Sequence, residues 1–256
     1  MLILAILLSA VLSYLLGSFN SSILVVRLLK HKDIRDYGSH NAGLTNTLRC
    51  FGKGCAALTL VGDLAKGIIA VLLSRGICEL LHTGLTAQND VHFIGYIAGI
   101  FAILGHVFPL YYHFKGGKGV LVGVSVFLGI DWKVFLCLIV IFAVVLAISK
   151  YVSLGSIVAS VCCPIVTFLF QFWQRGDLPM WYLWLNTGLA ALMGAWVIWM
   201  HRTNIQRIRD GKEYRLHFER GEIAGEMRVT ELKRRHTGST IRWLPDLEVF
   251  TDIDIP

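Results

Sequence analysis

Seven apolar runs fill most of the first 200 residues, at about 2–26, 54–74, 93–112, 119–130, 134–148, 154–172 and 180–200. A helix needs ~20 apolar residues to cross a hydrocarbon core of ~30 Å. The pattern therefore predicts an all-α integral membrane protein of about seven short transmembrane helices. The fourth and fifth runs are the short pair, and Asp131-Trp132-Lys133 between them reads as a turn at the membrane surface. With 55% hydrophobic residues, 16% charged residues and a mean hydropathy of +0.63, the chain is too apolar for an ordinary soluble domain.

Charge sets the orientation. Residues 1–207 carry fifteen Lys/Arg against seven Asp/Glu, whereas residues 208–256 carry nine against ten, so the basic surplus belongs to the apolar part. With the N-terminus outside, the inner segments 27–53, 113–118, 149–153 and those after 200 hold Arg27, Lys30, Lys32, Arg35, Arg49, Lys53, Lys115, Lys118, Lys150, Arg202 and Arg207. The outer ones hold Arg75, Lys133 and Arg175. The positive-inside rule selects this arrangement, with the C-terminus cytoplasmic. The first apolar run lacks a preceding basic residue and a clear cleavage site, so it reads as a retained helix. The six cysteines and nine histidines have no metal-ligand spacing, and neither a metal nor a cofactor is expected.

Four polar motifs fall on the inner side. Residues 33–54, DIRDYGSHNAGLTNTLRCFGKG, read as a loop in which Ser39, Asn41, Thr45 and Asn46 offer neutral donors and Arg49 a planar cationic fork. Residues 105–120, GHVFPLYYHFKGGKGV, set Lys115 and Lys118 around Gly116 and Gly117, an arrangement close to an anion nest, with His106 nearby. It is not a nucleotide-binding P-loop, because Gly119 follows Lys118 where Ser or Thr is required. Ser153, Gly155 and Ser156 sit at a helix start, where free N–H groups attract anions. His201 and Asn204 share a helical face just past the last run. Asp63 and Lys66, three apart within an apolar run, can neutralise each other.

These motifs, with GSFNSS at 17–22 and DLAKG at 63–67, appear in an order and on a hydropathy profile that resemble the bacterial acyl-phosphate:glycerol-3-phosphate acyltransferase family over residues 1 to about 210. The resemblance implies a cytoplasmic (inner) membrane enzyme with its active site facing the cytoplasm. Its substrates would be acyl phosphate and glycerol 3-phosphate, its product lysophosphatidic acid for phospholipid synthesis, and its surroundings membrane lipids. It places the phosphate of glycerol 3-phosphate near Ser39, Arg49, Lys115 or Lys118 and the serines 153 and 156, with His201 and Asn204 beside the glycerol hydroxyls. His201 is then the candidate for proton handling, with the substrate phosphate as rival base. The other class consistent with a basic inner face is a transporter or flippase of a phosphorylated solute, but no internal repeat supports it.

From about residue 208 the sequence becomes polar and β-prone, and HTGSTIRWLPDLEVFTD resembles a fragment of type II topoisomerase B subunits. The expected organisation is a membrane acyltransferase domain, 1–207, and a partly disordered or β-prone cytoplasmic tail, 208–256, without an independent fold. No nucleic-acid partner is expected of the tail. Ending the chain after Lys212 is expected to leave activity unchanged, and Arg35 is read as plain membrane-surface charge.

Overall fold

A computed structural model describes residues 1–84, 92–174, 176 and 179–215. All of them belong to a compact unit spanning Met1–Leu216. Arg175 and the tail from residue 216 onward lie outside the described residues.

The described residues form nine α-helices: α1 (Leu2–Ser18), α2 (Ser21–Lys30), α3 (Leu44–Leu80), α4 (His92–Val107), α5 (Val120–Ile130), α6 (Trp132–Ser149), α7 (Val152–Gln174), α8 (Met180–Met200) and α9 (Arg202–Arg209). Six segments are long and apolar enough to cross a membrane: Leu2–Lys30, Leu44–Leu80, His92–Tyr112, Trp132–Ser149, Val152–Gln174 and Met180–Met200. Each of the seven apolar runs maps onto one of these or onto α5. With 11 residues, α5 reaches only about 16 Å along its axis, half a bilayer core. The chain is a multi-pass membrane protein.

The breaks between helices have local causes. Asn20 caps α2, its side-chain oxygen accepting from Ile23 N–H at 3.1 Å, so the first apolar run is split in two. Asp131 caps α6 in the same way through Lys133 N–H at 3.0 Å, which separates α5 from α6 as the surface turn requires. In α3 the ladder is interrupted at Gly52, leaving residues 44–51 as a separate helical piece. Thr45, Asn46 and Arg49 therefore stand on a helix, where the sequence reading had a loop. The shift follows from tertiary contacts: Thr47 bonds Ser22 of α2 at 2.7 Å and the Asn46 amide gathers the preceding loop.

The core lies where α3, α4, α5 and α8 meet, around Val71, Tyr96, Ile103, Val122, Val126 and Met193. Outward-facing Leu58, Val140, Ile165 and Trp184 are exposed, as the lipid-facing surface of such a bundle must be. Tyr96, Gln171 and Asn186 tie α4, α7 and α8 together by buried side-chain bonds of 2.9 and 3.2 Å. At one end of the bundle, residues 31–43, 108–119, 149–153 and 201–215 converge.

Candidate active site

The floor of that end is ionic and buried. Lys66 Nζ lies 2.9 Å from Asp63 Oδ1 and donates to the carbonyl oxygens of Gly17 at 3.3 Å and Phe19 at 3.0 Å. It also lies 2.8 Å from His106 Nδ1. One ammonium thus joins α1, α3 and α4. His106 belongs to the floor: its carbonyl accepts from Gly117 N–H at 3.1 Å, and a Cβ at residue 117 would collide with its ring and with the Ala42 carbonyl. Only glycine fits where the lysine-bearing loop crosses the imidazole.

The wall is a strut of side chains. Arg35 binds Asp33 through two parallel bonds of 2.9 and 2.7 Å, and its remaining Nη1 donates to the carbonyls of Tyr112 and Lys115 at 2.9 and 3.1 Å. The guanidinium beside it holds the Asp33 carboxyl well below the usual carboxylate range. Arg35 is therefore no plain surface charge. It fixes the loop that presents Lys115 and Lys118. Asn46 plays a similar part: its Nδ2 donates to Tyr37 and Asn41 carbonyls at 2.9 and 3.1 Å, and its Oδ1 accepts from Ser39 N–H at 3.0 Å. With both ends of its amide engaged, it shapes the loop that carries Ser39 and Asn41 and has little left for a ligand.

Over this floor Lys118, Asn204, His201 and Ser153 meet. Lys118 Nζ donates to Asn204 Oδ1. The other end of that amide donates to Glu213 Oε1 at 2.6 Å, the same oxygen accepts from Ser153 Oγ at 2.9 Å, and Arg207 Nε reaches Oε2 at 2.8 Å. Ser153 sits in the first turn of α7, not at its cap, and spends its hydroxyl on Glu213. Ser156 turns its hydroxyl back to the Val152 carbonyl at 3.0 Å, and the N–H of the adjacent Gly155 bonds the Tyr151 carbonyl at 3.2 Å. Lys115 is exposed at the rim, and Thr45 is half-buried.

Two protonation states follow from these surroundings. Burial, then the charges of Arg207 and Arg49, push Lys118 down to about 8, with Glu213 opposing them. Burial and the Lys118 charge push His201 down to about 4, so its imidazole is neutral at ordinary pH. Its Nδ1 lies 2.7 Å from the Val197 carbonyl, which can only accept. The proton is thereby assigned to Nδ1, and Nε2 keeps its lone pair.

Arg49 makes no hydrogen bond among the described residues, but its guanidinium lies 4.4 Å from the Tyr214 ring centre. The sequence reading placed Glu213 and Tyr214 in a dispensable tail. They return to the site because α9 ends in a left-handed Gly211 (φ 66°). Lys212 N–H bonds the Arg207 carbonyl at 2.8 Å and Gly211 N–H the Ile208 carbonyl at 3.1 Å, a paired C-terminal cap that reverses the chain. The signal available was Gly211 itself, a glycine just past a short basic helix. Burial would raise the Glu213 carboxyl, but the bonds from Arg207, Asn204 and Ser153 outweigh it and hold it low.

This arrangement gathers cationic side chains around a neutral imidazole base, which suits binding of phosphorylated substrates and removal of a proton from a hydroxyl. A family model described as glycerol-3-phosphate acyltransferase matches residues 7–211. A glycerol-3-phosphate acyltransferase of Prochlorococcus marinus (strain MIT 9312) is 39% identical over 204 residues, 80% of this chain and 94% of that protein. One of Clostridioides difficile (strain 630) is 38% identical over 207 residues, 81% and 93% of the two chains. Among solved structures, PlsY (YgiH), an integral membrane glycerol 3-phosphate acyltransferase in its glycerol 3-phosphate form, superposes with a TM-score of 0.68. It is 31% identical, and the match covers 83% of this chain and 96% of that one. The lysophosphatidic acid form of PlsY gives 0.64 at 29% identity, covering 83% and 95%.

Proposed function

The chain belongs to the glycerol-3-phosphate acyltransferase family, and from that premise we propose that it moves an acyl group from acyl phosphate to the sn-1 hydroxyl of glycerol 3-phosphate. The product is lysophosphatidic acid, a precursor for phospholipid synthesis. The observation that carries this reading is the meeting of Lys118, Asn204, His201 and Arg49 at one end of a membrane bundle.

Acyl phosphate is an activated donor, so the protein needs no covalent nucleophile of its own. The glycerol hydroxyl oxygen attacks the acyl carbonyl carbon while His201 Nε2 takes the hydroxyl proton. The tetrahedral oxyanion then collapses, the bond from acyl carbon to phosphate oxygen breaks, and inorganic phosphate leaves with that electron pair. The protein holds two anions close together and stabilises the developing charge, which is the work of oriented cations and N–H donors. Arg49 and Lys118 bind phosphate with Ser39 nearby, and Asn204 orients Lys118; the Gly116 and Gly117 N–H groups, expected to form an anion nest, are bonded to the Val107 and His106 carbonyls at 3.0 and 3.1 Å and hold the lysine loop instead. Residues of the site end, including Arg27, Lys30, Lys32 and Arg202, give it the basic surplus expected of a cytoplasmic face. The enzyme then sits in the inner membrane with its site facing the cytoplasm.

Purified protein in lipid, given palmitoyl phosphate and glycerol 3-phosphate, should release phosphate and form lysophosphatidic acid. Palmitoyl-CoA in place of the acyl phosphate should give none. Product from the CoA thioester alone would overturn the donor assignment, and solute uptake into proteoliposomes without any acyl product would favour a transporter.

A further inference from the structure

Tyr214 lies outside the 7–211 family match, yet its ring faces two of the site's guanidinium groups: Arg49 at 4.4 Å and Arg207 at 6.0 Å from the ring centre. Its place is held from both sides. Glu213 is bonded to Ser153, Asn204 and Arg207 at 2.9, 2.6 and 2.8 Å. Arg215 Nε donates to Tyr151 Oη at 3.0 Å and its guanidinium lies 5.4 Å from that ring. Two anchors, on the start of α7 and on α9, thus hold the intervening residue beside the site's guanidinium groups. Arg49 approaches it from a different element, the helical piece 44–51 that precedes the Gly52 kink.

An Arg side chain has several rotatable bonds, and without a partner its guanidinium samples many orientations. A ring face restrains the plane of the cation while leaving the N–H edge open, and that edge is what grips a phosphate by two parallel bonds. We propose that Tyr214 is a positioning residue for glycerol 3-phosphate, holding the Arg49 guanidinium by its face so that its edge is presented to the substrate phosphate. The inference rests on the reading of Arg49 as a phosphate ligand. It also makes the chain just beyond the family match a working part of the site, and it predicts an effect on substrate affinity more than on turnover.

The test is the full chain in lipid with palmitoyl phosphate at saturation and glycerol 3-phosphate varied. Tyr214→Ala should raise KM for glycerol 3-phosphate by about three- to fivefold, the size of a partly exposed cation–π contact, with kcat within about twofold. Tyr214→Phe keeps the ring face and should restore the parental KM, which a hydroxyl-based role would not predict. In an Arg49→Lys background the Tyr214→Ala step should shrink to less than about twofold, because an ammonium has no planar fork for the ring to orient. An unchanged KM in Tyr214→Ala would overturn the proposal, and so would a lowered one, the mark of a residue that blocks the pocket. A parent protein that forms lysophosphatidic acid in the same assay separates that failure from failure of the functional reading itself.

Discussion

Lys66 and His106 stand 40 positions apart in the chain and meet at 2.8 Å between Nζ and Nδ1. A lysine ammonium only donates, so Nδ1 of His106 accepts and its ring proton sits on Nε2, toward the Gly117 backbone. The same ammonium neutralises Asp63 at 2.9 Å. The buried pair is thus a support beneath the loop that carries Lys118, and it transmits the positions of α1, α3 and α4 to that loop.

Removing Lys66 leaves the Asp63 carboxylate buried without a cation, a change that costs about 3–5 kcal/mol when one member of such a pair is deleted. Lys66→Met should therefore lower the thermal unfolding midpoint in detergent sharply and abolish acyl transfer. Asp63→Asn combined with Lys66→Met removes both charges and should recover much of the midpoint. Activity should stay low in the double variant, because His106 has still lost its partner. Parental stability in the single variant would show that the pair carries no structural weight.

The C-terminal boundary can be tested by two truncations. Ending the chain after Lys212 removes Glu213 and leaves Ser153, the Asn204 amide and Arg207 without their acceptor. Bonds to a charged group contribute about 1.5–3 kcal/mol each, so a loss of at least about tenfold in kcat/KM is expected. This reverses the expectation from sequence that such a truncation is silent. Ending the chain after Leu216, the limit of the compact unit, should leave kcat/KM within about twofold. Equal activity of the two truncated proteins would remove Glu213 from the site.

Much of this site was legible in the sequence, because lipid leaves few options for an apolar run and basic residues mark one face. The apolar runs, the break at Asp131 and the shared inner face of the four motifs follow from spacing and charge, and the grouping of Lys118, Ser153, His201 and Asn204 around one substrate follows from the family resemblance. What escaped depends on contacts between distant segments. Arg35 looked like surface charge because its acceptors, the Tyr112 and Lys115 carbonyls, lie 77 and 80 positions away. Asn46 looked like a ligand because its amide partners belong to a loop whose path only the fold defines. Glu213 and Tyr214 were assigned to the tail because a change in composition suggested a boundary at 208, whereas the reversal at Gly211 brings them back.

Arg49→Lys keeps the charge but loses the planar fork that can give a phosphate two parallel bonds. Losing one or two charge-assisted bonds predicts a fall in kcat/KM of about tenfold or more, expressed in KM for glycerol 3-phosphate. Arg35→Lys is no neutral control, since Arg35 braces the lysine loop through two bonds and is itself held by two more to Asp33. Arg209→Lys is one, on the exposed last turn of α9. Equal small effects of Arg49→Lys and Arg209→Lys would move the phosphate site elsewhere.

The pH dependence follows from Lys118 and His201, with Arg49, Arg207 and Glu213 as the charged groups facing Lys118. Lys118 at about 8 is a cation below that pH and neutral above it, so attraction for phosphate is complete on the acid side and fades as pH rises through about 8. His201 at about 4 is already the free base throughout the physiological range, so it contributes no acid limb between pH 5 and 8. Any fall on that side belongs to the substrate, whose phosphate takes up its second proton near ~6. kcat/KM for glycerol 3-phosphate should therefore decline above about pH 8, whereas kcat, measured with phosphate already bound beside the ammonium, should decline at a higher pH. Lys118→Arg retains its charge to far higher pH and should move the alkaline limb of kcat/KM out of the measurable range, even if geometry lowers the plateau. A limb that stays near pH 8 in Lys118→Arg would assign it to another group and remove Lys118 as the titrating cation of the site.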